Sequence, residues 1–216
     1  MNRKTLFIAS TVVLLLAFAA GALLYKSEKM QQWSQAVGRN EAALARDYSP
    51  TLGKADAKVH IVEFLDPACE TCARFYPYVK RLMAANPDKI KLSIRHVPFH
   101  NGADYVVKVL EATRKQGKYW QALEAVLASQ AYWAPHHTAQ PDLVWKALGG
   151  LGLNFEQVKA DMTAPEIAQR IEQDLNDAKT LKVTKTPGFF VNGRPLPSFG
   201  LEQLQNLVKE ALQIAY

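Results

Sequence analysis

The chain has 216 residues, a formal net charge of +6, 49% apolar and 21% charged residues. That length holds one sizeable core plus an appendage, and the balance excludes wholesale disorder. The small positive excess forms no basic stripe with interleaved aromatics, which excludes nucleic-acid binding. A phosphate-cradling glycine loop, a dinucleotide fingerprint and a serine nucleophile elbow are absent as well.

Arg3 and Lys4 precede an uncharged, mostly aliphatic run over residues 5–25. As a helix it would span about 31 Å, against roughly 30 Å of membrane hydrocarbon. Two readings follow. The run is an uncleaved transmembrane anchor, the reading we prefer, or it is a signal peptide cut after Ala19 in Ala17-Phe18-Ala19. Both export the remainder of the chain, because the positive residues hold the N-terminus in the cytoplasm. Residues 26–47 are polar with scattered apolar positions and read as a juxtamembrane linker or helix. The main domain is expected over 48–216.

Val59–Leu65 reads as a buried strand, and Asp66-Pro67-Ala68 breaks it. Residues 69–85 then read as a helix with Phe75, Val79, Leu82 and Met83 inward and Pro77 inside it. Residues 90–97 alternate as a second strand. Between residues 101 and 182 no strand is expected, only helices, with Asn154 as an N-cap and Pro165 opening a long one. Gly188–Val191 is a short strand, Asn192-Gly193 a hairpin turn, and residues 194–196 an edge strand. Residues 201–216 close the chain as an amphipathic helix. Strand–helix–strand at the front and strand–strand–helix at the back can form one α/β sheet flanked by helices, with the helical block inserted between them.

Cys69 and Cys72 are the only cysteines, and they fall where strand hands over to helix. A thiol in a first helical turn faces unpaired N–H groups and the positive end of the helix dipole, which favour thiolate. A second thiol three residues on lies one turn away. A two-residue gap would constrain the unfolded chain little, so a purely stabilising disulfide is a poor explanation. In an exporting compartment such a pair suits dithiol–disulfide exchange. Glu63 is the only acid in the strand beneath. Glu70 and Thr71, between the cysteines, tune the pair: Glu70 places negative charge beside the thiolate and is expected to give a milder oxidant.

The lead-in 51–57, the strand, the Cys69-x-x-Cys72 motif, the helical insertion and Thr186-Pro187-Gly188-Phe189-Phe190-Val191-Asn192-Gly193 resemble the DsbA-like branch of the thioredoxin superfamily over about residues 48–216. The resemblance implies a thioredoxin-like fold, a central mixed sheet flanked by helices with a helical subdomain at about 101–182. It implies Cys69 as nucleophile, Cys72 as resolving thiol, Glu63 as the buried acid beneath them, and Thr186 and Pro187 as a cis-proline loop that binds substrate backbone. No cofactor beyond the redox-active Cys69–Cys72 disulfide is implied. The partners implied are cysteine-containing exported proteins and a membrane redox partner. The place implied is the periplasmic side of the bacterial inner membrane, anchored by residues 5–25 or free in the periplasm if cleaved.

Two other classes use the same residues. The cysteines could supply half of a soft-metal site, copper or zinc, with His60, His96, His100, His136 or His137 as complements. Alternatively Tyr132, Trp133 and Phe189-Phe190 could form an apolar peptide-holding surface. No dedicated metal ligands are assigned.

Overall fold

The computed structural model describes residues 3–216, apart from the side chains of residues 1–9, 22, 26 and 29–40. The chain divides into two compact units, Met1–Arg39 and Asn40–Tyr216. From Arg3 onward the first is helical, in one long helix, α1 (Arg3–Leu44), which runs unbroken through the polar stretch that follows the apolar run. Among the described residues, no helix is long and apolar enough to cross a membrane. The transmembrane anchor expected over 5–25 is therefore not supported, and part of that run lies outside the described side chains.

The second unit is built on a five-stranded mixed sheet. Its strands are β1 (Thr51–Leu52), β2 (Val59–Leu65), β3 (Ile90–His96), β4 (Gly188–Val191) and β5 (Arg194–Pro195), in the spatial order β1-β3-β2-β4-β5. β2 and β3 run parallel, and α2 (Glu70–Ala85) makes the crossover between them. β4 pairs antiparallel with β2, β5 with β4 and β1 with β3. Aliphatic residues line one face of β2 and β3, and both faces of each strand are almost wholly buried, as the centre of a covered sheet demands.

Val59, Ile61, Leu65, Ile90, Leu92 and Ile94 form one face and pack with the buried sides of α2 and α9 (Leu201–Ala215). Val62 and Phe64 form the other with Leu44, Val97, Ala178 and Phe190. The stretch between β3 and β4 is helical as expected: α3 (Ala103–Thr113), α4 (Tyr119–Ala128), α5 (Gln130–Trp133), α6 (Pro141–Ala147), α7 (Phe155–Asp161) and α8 (Pro165–Thr180). Asn154 caps α7, its Oδ1 accepting from the Gln157 N–H at 3.1 Å. Asn192 and Gly193 have φ of 46° and 78°, the left-handed pair that a two-residue hairpin turn requires.

The lead-in differs from expectation. No strand is expected before Val59, yet Thr51–Leu52 form β1, an edge strand too short to carry a hydrophobic pattern. Gly53 (φ 103°) makes it possible: a Cβ there would stand 2.6 Å from the Ile90 carbonyl oxygen. The residues just before it are not bare linker either. Ala43 and Leu44 are buried, and the Ala43 carbonyl accepts from Arg95 Nη1 at 2.7 Å.

Candidate active site

Cys69 is the N-cap of α2, with extended backbone angles (φ −83°, ψ 115°). It arrives there because Asp66 turns the chain at the end of β2: the Cys69 N–H donates to the Asp66 carbonyl at 3.1 Å, and the Ala68 N–H to Asp66 Oδ1 at 2.8 Å. Both cysteines are free; Cys69 is 6% exposed and Cys72 fully buried on the sheet side of α2. Opposite them the Thr186–Pro187 peptide bond is cis, and as a thiol Cys69 donates from Sγ to the Thr186 carbonyl at 3.3 Å. Pro187 is buried and Thr186 half-buried. The helix start and the loop before β4, 117 residues apart, thus form two walls of one site.

The two thiols are electrostatically unlike. A hydrogen bond from the Cys72 thiol brings Cys69 down to about 5, helped by the Thr186 side chain and the backbone N–H groups of Cys72 and Thr71, against the opposing cost of burial. Cys72 is pushed well above its ordinary value by burial first, then by its bond to Cys69 and by the nearby Glu63 and Cys69 charges. Glu63 is fully buried beneath them, raised to about 8 by burial and further by the Cys69 charge. Neither of its carboxylate oxygens has a hydrogen-bond partner among the described residues. A low thiol, a high thiol and a proton-holding acid are therefore stacked from surface to core.

Glu70 opens α2 with its side chain exposed, and Thr71 Oγ1 accepts from Arg74 Nη2 at 3.5 Å. Thr71 contributes to the thiolate through its backbone, whereas Cys69 falls to about 5 with Glu70 beside it. Three of the five histidines are engaged by other side chains: His60 by Ser93 Oγ, His96 by Tyr119 and His100 by Asp66. No group of three or more metal-ligating residues occurs among the described residues. Trp133, Phe189 and Phe190 are core, leaving Tyr132 alone of the four candidate aromatics exposed.

Sequence reasoning missed Asp66, whose place two residues before Ala68 is an Asx-turn signal that could have flagged it. It also missed Gln130 and His137, which meet the Ala68 carbonyl from the insertion and carry no local sign of doing so.

The sequence pattern of the thioredoxin family, described as "Thioredoxin", matches residues 45–210. The chain belongs to the thioredoxin family. Its structure is similar to that of a thioredoxin-like oxidoreductase from Silicibacter pomeroyi DSS-3, with 31% identity, TM-score 0.70, 81% of this chain and 98% of that one covered. It is similar in fold to α-DsbA1 from Wolbachia pipientis, with 20% identity, TM-score 0.70, 82% of this chain and 96% of that one covered. The fold is thus that of the DsbA-like thiol–disulfide oxidoreductases within the thioredoxin family. Among curated proteins, a Na(+)/H(+) antiporter NhaA from Herminiimonas arsenicoxydans is 30% identical over 189 residues. That match takes in 86% of this chain but 29% of the antiporter, so the chain spans less than a third of that relative's length.

Proposed function

We propose that the protein is an exported thiol–disulfide oxidoreductase acting on cysteine-containing proteins through Cys69 and Cys72. The observation that carries this reading is the divergence of the two thiols, Cys69 held at about 5 and Cys72 pushed far up, against the Thr186–Pro187 wall. In the reducing direction the Cys69 thiolate attacks one sulfur of a substrate disulfide. The substrate S–S bond breaks, a Cys69–substrate disulfide forms, and the departing sulfur takes up a proton. In the mixed disulfide the Cys69 charge that helps keep Glu63 protonated is gone, and Glu63 in its ionised form takes the Cys72 proton as Cys72 attacks Cys69 Sγ. The mixed disulfide breaks, the second substrate sulfur leaves and is protonated, and two electrons have moved from the protein to the substrate. The oxidising direction is the reverse. Thr186 and Pro187 hold the substrate backbone extended across the site.

A thiolate held this firmly stabilises the reduced form and makes the disulfide a better oxidant. That favours net disulfide donation, in contrast to the milder poise expected from Glu70. A redox partner in the membrane would renew the pair. Arg3, Lys4 and the apolar run support export to the periplasm, with cleavage after Ala19. The soft-metal alternative has no third ligand at the cysteines among the described residues.

The test is exchange with a scrambled disulfide substrate, together with trapping. Cys72→Ser is expected to accumulate a mixed disulfide at Cys69, and Cys69→Ser to exchange nothing. Equal residual exchange in both variants would sink the assignment. Thiol trapping in cells then reads the direction: a mostly oxidised pair supports an oxidase, a mostly reduced pair a reductase or isomerase.

A further inference from the structure

The loop after β3 and the helical insertion that follows it reach back to the loop that carries the nucleophile, each at one point. The first is Asp66, fully buried at the end of β2. Its Oδ2 accepts from the backbone N–H groups of Phe99 and His100 at 2.7 and 2.8 Å, and from His100 Nδ1 at 2.6 Å. The second is the carbonyl of Ala68, the residue directly before Cys69. Gln130 Nε2, itself buried in α5, donates to it at 2.6 Å, and His137 Nδ1 lies 3.4 Å from the same oxygen. The two points are joined, because the rings of His100 and His137 stack with centroids 4.9 Å apart and planes 26° from parallel. His136 and His137 have φ of 53° and 58°. Two successive non-glycine residues in the left-handed region are uncommon and need surrounding structure to hold them.

We propose that Gln130 and His137 are positioning residues for Cys69, acting through the Ala68 carbonyl. This rests on the thiol–disulfide reading above. The peptide group whose oxygen they hold is the one that delivers Cys69 to the head of α2. An unbonded carbonyl beside the sulfur would oppose a thiolate with its negative end; donors on that oxygen offset the opposition. They also fix the loop, so that Cys69 stays at the N-cap where the Cys72 thiol and the backbone N–H groups reach it. In this arrangement the insertion sets the reactivity of a residue that belongs to the sheet framework.

The experiment is a titration of Cys69 by thiolate absorbance in the full reduced chain, with the equilibrium against glutathione measured alongside. Wild type is compared with Gln130→Leu and His137→Ala. Loss of the Gln130 bond is expected to raise the Cys69 midpoint by up to about one unit, and loss of the longer His137 contact by less. The glutathione equilibrium should move toward the protein disulfide by up to about tenfold, because the thiolate has lost support. Circular dichroism reports whether Gln130→Leu folds, and the exposed His137→Ala carries the test if it does not. Folded variants that titrate and equilibrate as wild type does would overturn the proposal. A wild-type chain that never exchanges with glutathione would overturn the parent reading instead, and the titration would still decide the positioning role.

Discussion

On one face of the sheet Glu63 is buried with both carboxylate oxygens unpartnered, while on the other Arg95 is buried with its charge met from every side. Strand alternation separates them: Glu63 pairs in register with Ile94, and Phe64 with Arg95. Arg95 donates from Nε and Nη2 to Asp174 at 2.9 and 2.7 Å, from Nη2 to Asp177, and from Nη1 to the Ala43 carbonyl. Arg46 closes Asp177 from outside at 2.6 Å, and Tyr48 donates to Asp174 at 2.7 Å. Burying a charge without its partner is costly enough that a group left so usually serves chemistry rather than stability. The paired face holds residues 43–48, β3 and α8 together, and the unpaired face holds a proton under two thiols.

Removing one partner on the paired face should produce the largest change in the molecule. Arg95→Met leaves Asp174 and Asp177 facing each other in the interior, and the expected loss is about 3–5 kcal/mol of folding stability. Urea unfolding measures it. The Cys69 midpoint should stay where it is in any fraction that remains folded. A variant as stable as wild type, or one whose thiol titration shifts, would break the division between the faces.

Changing Glu63 should act through protons instead. Glu63 holds its proton up to about pH 8 in the folded chain and to about 4.5 when unfolded. Between those values the folded state carries the extra proton, so stability falls as pH rises. Cys69 runs the opposite way, near 5 folded and near 9 unfolded, so its contribution rises over that window. His60 and His96, held down to about 4 by burial, add a rise at lower pH that wild type and variant share. Glu63→Gln removes the falling component alone. Relative to wild type, the reduced variant should therefore gain stability steadily from about pH 4.5 to about pH 8. A difference that stays constant with pH would sink the assignment of a raised Glu63. The same variant should resolve a trapped Cys69 mixed disulfide about a hundredfold more slowly, since general-base help of this kind contributes on that order.

The contrast between the faces also marks what could be read before the fold was known. The strands Val59–Leu65 and Gly188–Val191, the helix after Cys69 and the Asn192-Gly193 turn were all legible, because apolar spacing and turn chemistry are local. Glu63 was legible as an acid in an apolar run. Arg95 was not: in Ile90, Leu92, Ile94 the intervening Lys91, Ser93 and Arg95 look like a solvent face. Only α8, 79 residues on at Asp174, converts the end of that face into buried space. The apolar run at the N-terminus was legible as hydrophobic, but membrane insertion does not follow from a count of aliphatic residues. The grip of Gln130 and His137 on the loop before Cys69 depends on the three-dimensional path of the insertion, which no periodicity encodes.

Within the site itself the smallest effect should come from the residue that looked most influential in sequence. Glu70 sits directly beside Cys69, and a negative neighbour disfavours a thiolate. Its side chain is exposed, however, while the groups that bring Cys69 to about 5 are in direct contact with the sulfur. Water and salt screen an exposed charge far more than they screen a buried hydrogen bond. Glu70→His should therefore lower the Cys69 midpoint by only about half a unit or less at physiological salt, and that shift should shrink further as salt is raised. Titration of the variant at two ionic strengths separates the cases. A salt-insensitive fall of a full unit or more would mean that Glu70 acts at short range on the sulfur, and that the contrast between exposed and buried charge does not govern this site.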